Sequence, residues 1–156
     1  MMTFDRIDRR ILNELQRDGR IANADLAEKI GLSPSACLRR VRALEESGVI
    51  DSYVALLDQS RIGRSLEIFV EISLTAQTSE ALSRFEDAVA RSQEIMECHL
   101  MAGDADYLLR IAAADPVDFE RIHRDHLTRL PGVSRMRSSF AIRTVSRKTA
   151  FPITGD

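Results

Sequence analysis

Apolar residues recur along the first sixty positions at helical spacing. Ile7, Ile11, Leu12 and Leu15 share one side of such a repeat, with Asp5 and Asp8 at its front, where the helix dipole favours acids. Asp18-Gly19 closes this first helix. Asn23 is expected to cap a second, which turns Leu26, Ala27 and Ile30 inward and stops at Gly31. Ser33 is expected to cap a third, with Pro34 in its first turn, where a missing N–H costs nothing. Leu32 and Cys37 have the spacing of a hydrophobic staple. Gly48 ends the third helix, and Val49 to Leu57 reads as extended. Three short helices followed by a strand, the last two helices joined through Gly31-Leu32, predict a winged helix-turn-helix.

Near residue 60 the pattern changes. The polar stretch DQSRIGRS at 58–65 reads as a linker. Beyond it, Leu66, Ile68, Val70, Ile72 and Leu74 alternate with Glu67, Phe69, Glu71 and Ser73, the period of a strand with one buried face. Ser79 opens a helix with Leu82, Phe85 and Val89 inward. Ile95–Met101 and Tyr107–Ala113 read as a hairpin around the tight turn Ala102–Asp106. Asp115 and Pro116 cap and start a helix with Phe119, Ile122, Leu127 and Leu130 inward, Pro131-Gly132 stops it, and Val133–Val145 reads as a last strand. The order βαββαβ predicts a ferredoxin-like sheet with helices on one face. The other face carries Phe69 and is expected to pack on a second subunit. The fold class is α+β, with the winged helix-turn-helix and its linker at 1–60 and the ferredoxin-like domain at 61–156.

Composition narrows the choice of function. The chain has 156 residues, 44% hydrophobic and 29% charged, which excludes wholesale disorder. Two cysteines do not staple a secreted scaffold. No run approaches the ~20 apolar residues of a membrane span, and Met1 to Arg10 has no apolar signal-peptide core, so a cytoplasmic protein is expected. The net charge of -2 does not announce nucleic acid. Any electrostatic footprint must come from local clustering. Of 22 basic residues, 20 are Arg, and only Lys29 and Lys148 are Lys. Arg suits forked contacts to phosphate, though coding bias gives the same excess.

That clustering is found on the third helix. On a helical wheel Cys37, Leu38, Val41 and Leu44 form an apolar stripe, and Ser35, Arg39, Arg42 and Glu46 lie opposite, with Ala36 and Ala43 beside them and Arg40 on a flank. Small residues at the front let a helix enter the major groove, about 12 Å wide. Arg39 and Arg42 would then reach bases or phosphates. The N-terminus at Ser33-Pro34-Ser35 offers backbone N–H groups to a phosphate. Arg40, Arg20 and Lys29 are candidates for further contacts. An arginine-rich helix face is often merely solvated, and Glu45 and Glu46 offset part of this one.

The segments DRIDRRILNELQRDGRI (5–21), LAEKIGLSPSACLRRVRALEESGVI (26–50), ECHLMAGDADYLLRI (97–111) and LPGV (130–133) resemble the Lrp/AsnC, or feast-famine, family of bacterial and archaeal regulators, most closely its leucine-responsive branch. The resemblance runs in order through nearly the whole chain. It implies a nucleoid-associated transcription regulator of amino-acid metabolism that binds double-stranded DNA. It also implies homodimers that assemble to tetramers or octamers and respond to a free amino acid bound between subunits.

The turn of the predicted hairpin is the second candidate site. In Leu100-Met101-Ala102-Gly103-Asp104-Ala105-Asp106-Tyr107, Gly103 permits close approach to the backbone, and two aspartates share one short turn. A free amino acid presents an ammonium, which wants a carboxylate, and a carboxylate, which wants N–H groups or Arg. Asp104 or Asp106 can meet the first demand and the turn's amides the second, with Leu100 and Met101 as an apolar wall. Gly and Asp are also ordinary turn residues. The resemblance places an effector pocket at this loop, matched by AGDAD, and implies Ser138, Ser139 and Ala141 as further lining. Leucine or another apolar amino acid is the expected effector.

Other features carry less. His123 and His126 at i, i+3 lack the further ligands a metal site needs, so no metal is expected, nor any cofactor besides the effector. Cys37 and Cys98 read as core residues, although Cys37 lies near a helix N-terminus, where a redox role is conceivable. No phosphate loop, nucleophile elbow or HExxH is present, so no catalysis is expected. An architectural DNA-packing protein without an effector is the main alternative; an enzyme using the two aspartates is a second.

Overall fold

The structure is a computed structural model that describes residues 4–153. It divides into two compact units, one formed by residues 4–56 together with 145–153, the other by 57–144. The first unit, here called the head, holds α1 (Arg6–Arg17), α2 (Asn23–Ile30) and α3 (Pro34–Glu46). Asp5 accepts from the N–H groups of Ile7 and Asp8, both at 2.8 Å, and Asp8 reaches back to the N–H of Asp5 at 3.3 Å. This reciprocal box satisfies donors that no helix satisfies internally. Arg10 of α1 donates to the carbonyls of Lys29 (2.7 Å) and Ile30 (3.1 Å), closing the C-terminal end of α2. Gly31 follows in left-handed backbone at φ 76°, a conformation that a Cβ resists. Ile11, Leu12, Leu26, Ala27, Ile30, Cys37 and Leu44 form the head's core.

Three expectations for the head are corrected. Ala22, not Asn23, holds the cap position of α2; the Asn23 amide donates instead to the carbonyl of Pro34 at 2.9 Å, tying the starts of α2 and α3. Leu38, expected on the inward stripe, is 39% exposed. Residues 51–57 join no strand, because the described residues of the head offer only helices and irregular chain to pair with. Tyr53, Val54, Leu56 and Leu57 are consequently left exposed.

Residues 145–153 group with the first unit rather than with the sheet. Ile153 packs against the head's core. Gln16 on α1 donates to the carbonyl of Phe151 at 3.2 Å and accepts from its N–H at 2.6 Å.

The second unit is β1 (Leu66–Leu74), α4 (Ser79–Ala90), β2 (Ile95–Leu100), β3 (Tyr107–Ala113), α5 (Pro116–Asp125), a short 3-10 turn at Leu127–Arg129, and β4 (Val133–Phe140). The strand order is β2-β3-β1-β4, with every pairing antiparallel, as the ferredoxin-like reading requires. α4 opens at Ser79 as read, with Thr78 as its cap. The last strand ends at Phe140, not Val145, because its partner β1 begins at Leu66; the N–H of Ala141 makes one more bond, to the carbonyl of Glu67 at 2.9 Å.

Alternation sorts the sheet's residues. Ile68, Val70, Ile72, Leu109 and Ile111 face the helices and are wholly buried with Phe85 and Ile122. Each such side chain contributes ~1.5–3 kcal/mol relative to exposure, so this face fixes the register. The opposite face carries Phe69 and Leu108 among charges. Arg110 bridges Glu67 (3.0 Å) and Glu97 (2.6 Å) there.

Candidate nucleic-acid interface and ligand recess

The helix-turn-helix presents its second helix as the sequence predicts. The Ser33 hydroxyl accepts from the N–H of Ala36 at 3.3 Å, and Pro34 follows in the first turn. Ser33, Pro34, Ser35, Arg39 and Arg42 are exposed and Ala36 is half-buried. Among the described residues Arg39 and Arg42 have no ion-pair partner. Cys37 and Leu44 anchor the opposite side of α3 in the core, so the arginine face points away from the head.

Arg40 does something else. Its Nη1 lies 2.8 Å from Asp5 and 2.7 Å from Asp8, so its charge is absorbed by the cap of α1. Arg40, expected with Arg39 and Arg42, is thus tied to the head where those two are not. The carboxyl of Asp5 is held below its ordinary 3.8, first by the N–H of Asp8 and then by Arg40. Lys29 is exposed and paired with Glu14 at 3.1 Å. Arg20 is exposed beside a recess of about 500 Å³ lined by Tyr53 and Thr149.

In the second unit the hairpin turn overhangs the open sheet face at one end. A recess of about 340 Å³ lies between the turn (Met101, Ala102, Gly103, Asp104, Ala105), Leu108 of β3, Glu71 of β1, and Arg135 and Arg137 of β4. The Met101 N–H to the Asp106 carbonyl (2.8 Å) and the Asp106 N–H to the Ile72 carbonyl (2.9 Å) pin the turn's ends. A Cβ added to Gly103 meets nothing within 4 Å, so the backbone there is open to an approaching group.

The two aspartates have separate tasks. The Asp106 carboxylate accepts from the N–H of Leu74 at 2.7 Å and from Gln77 at 2.5 Å; it braces the turn against β1 and does not line the recess. Asp104 is exposed, lines the recess and has no partner among the described residues. Tyr107, expected beside them, is buried on the helix face. Its hydroxyl donates to Glu86 at 2.7 Å, its ring lies 4.5 Å from that of Phe85, and burial above all raises its pKa.

Leu100 is exposed next to the turn but outside the recess. Ser138 pairs with Val70, whose side chain is in the core, and partners across a ladder share a face, so Ser138 points toward the helices. Ser139 and Ala141 lie farther along β4 and do not line this protomer's recess. Glu71, Arg135 and Arg137 were not singled out in the sequence. Their position follows only from the register Glu71↔Arg137 and Ser73↔Arg135. Among the described residues no group of three metal-ligating side chains occurs, and no helix is long and apolar enough to cross a membrane.

Comparison with known proteins agrees with this layout. Residues 4–51 match the family model of a winged helix-turn-helix DNA-binding domain, and residues 67–151 match that of the Lrp/AsnC ligand binding domain. The chain is 44% identical over 150 residues to the leucine-responsive regulatory proteins of Escherichia coli K12 and Klebsiella pneumoniae, covering 96% of this chain and 92% of each of them. An AsnC family transcriptional regulator from Agrobacterium tumefaciens superposes with a TM-score of 0.91 at 37% identity. A transcriptional regulator from Neisseria meningitidis, solved as its L-methionine complex, superposes with a TM-score of 0.90 at 34% identity. Each of these two alignments covers 96% of this chain and 97% of the other.

Proposed function

Because this chain belongs to the Lrp/AsnC family of DNA-binding transcriptional regulators, we propose that Arg39 and Arg42 read its operators while the recess under the turn receives a free amino acid. The observation that carries the first part is the pair of exposed arginines on the second helix of the helix-turn-helix, both without an ion-pair partner among the described residues. Small residues precede them, so the helix enters the major groove N-terminus first. Ser33, Pro34, Ser35 and Ala36 then lie against the backbone, and Arg20 and Lys29 add phosphate contacts from the flanks.

The second part rests on the matched ligand-binding model and the open Asp104 carboxylate. Asp104 takes the effector's ammonium, amides around Gly103 approach its carboxylate, and Met101, Ala102 and Leu108 supply an apolar wall suited to leucine or methionine. Homodimers form through the open sheet face and assemble further to tetramers or octamers. Binding that favours one assembly shifts the spacing of the heads. Paired heads read half-sites about 10–10.5 base pairs apart or a multiple of that, and successive pairs favour bendable, A/T-rich spacers. The protein acts on the chromosome in the cytoplasm and catalyses nothing.

A mobility-shift titration with fragments of the source genome at low ionic strength tests the DNA reading. Retardation that weakens strongly in Arg39→Gln and Arg42→Gln supports it, and equal retardation by the variants overturns it. A thermal-shift screen against the twenty amino acids tests the effector reading, which fails if none changes stability or assembly size.

A further inference from the structure

The recess holds two cations and two carboxylates, and they are not equivalent. Glu71 and Arg137 face each other across the β1–β4 ladder and pair at 2.9 Å. That pair is internally neutral. Arg135, the next residue of β4 on the same face, stands opposite Ser73, a hydroxyl with no charge to offer. Asp104 stands on the overhanging turn. Neither Arg135 nor Asp104 has a hydrogen-bond or ion-pair partner among the described residues, and both line the one recess. One uncommitted positive and one uncommitted negative charge thus face a single cavity from separate elements.

We infer that Arg135 anchors the effector's α-carboxylate opposite Asp104, which restricts the site to free zwitterionic α-amino acids. The inference rests on the amino-acid reading given above and adds the residue that supplies the positive charge. Guanidinium fits a carboxylate with two parallel N–H donors. The amides around Gly103 orient that carboxylate but carry no full charge. Arg137 does not take the role, because Glu71 already neutralises it.

Three consequences follow from chemistry alone. An amine without the carboxylate leaves Arg135 unmet. A carboxylic acid without the ammonium leaves Asp104 unmet and places its charge near it. An amino-acid amide, and by the same logic a peptide N-terminus, lacks the negative charge that Arg135 selects. The side chain is then recognised only by the apolar wall, so the two charges set the ligand's class and the wall sets its member. A bound zwitterion also ties the turn to β4 across the recess.

The test is calorimetric titration of the full-length protein with L-leucine and L-methionine, or with whichever of the twenty amino acids gives the largest thermal shift. The matching amine, acid and amide follow; for leucine these are isoamylamine, 4-methylpentanoate and leucinamide. Wild type is expected to bind the amino acid about 10- to 100-fold more tightly than any of the three, the range of a charge-assisted hydrogen bond. Arg135→Gln is expected to lower amino-acid affinity by a similar factor while leaving isoamylamine unchanged, and Arg135→Lys to restore part of it. Equal affinity of Arg135→Gln for the amino acid overturns the assignment, as does a variant that weakens amino acid and amine alike. If no amino acid binds wild type, the effector reading itself fails. If Asp104→Asn weakens binding and Arg135→Gln does not, the effector reading stands and only the arginine anchor falls.

Discussion

Asp106 accepts a hydrogen bond from the backbone N–H of Leu74 at 2.7 Å, and that bond separates the roles of two aspartates that look interchangeable in the sequence. Asp106→Ala leaves the Leu74 N–H unpaired and frees the turn from β1. It is expected to lower stability by ~1–3 kcal/mol and to weaken effector binding through disorder of the turn. Asp104→Ala is expected to change stability by no more than ~0.5 kcal/mol and to abolish the amino-acid response. Urea unfolding and calorimetry on the two variants distinguish the roles; equal destabilisation by both would refute them.

Arg40 and its neighbours differ in the same way. Arg40→Ala removes the partner of Asp5 and Asp8 and is expected to lower the head's melting temperature. Arg39→Ala and Arg42→Ala are expected to melt like wild type. If one of these two contacts a phosphate, its loss reduces the slope of log K against log salt by about 0.9. If it reads a base, its loss relaxes sequence preference at ~1–3 kcal/mol. Binding isotherms at several salt concentrations, on operator and scrambled DNA, separate these outcomes.

Acid should loosen both units. Asp5 is held below its ordinary 3.8 chiefly by the N–H of Asp8, and Asp118 chiefly by the N–H of Ala114, with Arg121 next. Each carboxyl therefore binds its proton less readily when folded than when unfolded. Stability from these groups is fully present above about pH 4 and is lost as pH falls through the depressed folded values. Unfolding midpoints measured from pH 6 to pH 2 should decline in this window, and the decline should be shallower in Asp5→Ala and Asp118→Ala. An unchanged profile in both variants would remove these carboxylates from the account.

Gln16 holds the main chain of Phe151 by two hydrogen bonds. Gln16→Ala is expected to cost the head about 1 kcal/mol and to speed proteolysis within residues 145–153. Limited proteolysis followed by mass spectrometry reads this directly; protection equal to wild type would mean that the packing of Ile153 alone retains the tail.

What the sequence made legible was whatever is set locally. The caps at Ser33 and Asp115, the stop at Gly31 and the alternation through Ile68, Val70 and Ile72 each depend on residues a few positions away, and each stands as read. What was not legible involves distant partners. Asn23 has the composition of a cap, but its amide goes to Pro34 across the turn. Arg40 lies on the flank of an arginine-rich face, yet its charge is taken by acids 32 and 35 positions earlier. Arg135 joined the recess only once strand register placed it beside Ser73. No periodicity in 145–153 announced that this segment belongs with α1.

The return of the last residues to α1 makes the DNA-reading module discontinuous in the gene. Its coding sequence is interrupted by the whole ligand-binding sheet, in the manner of one domain inserted into another. A fragment that stops after the linker is therefore not the complete module. A chimaera that exchanges specificities with a relative has to transplant two pieces, the opening helices and residues 145–153, or the grafted surface will miss the strap that Gln16 holds.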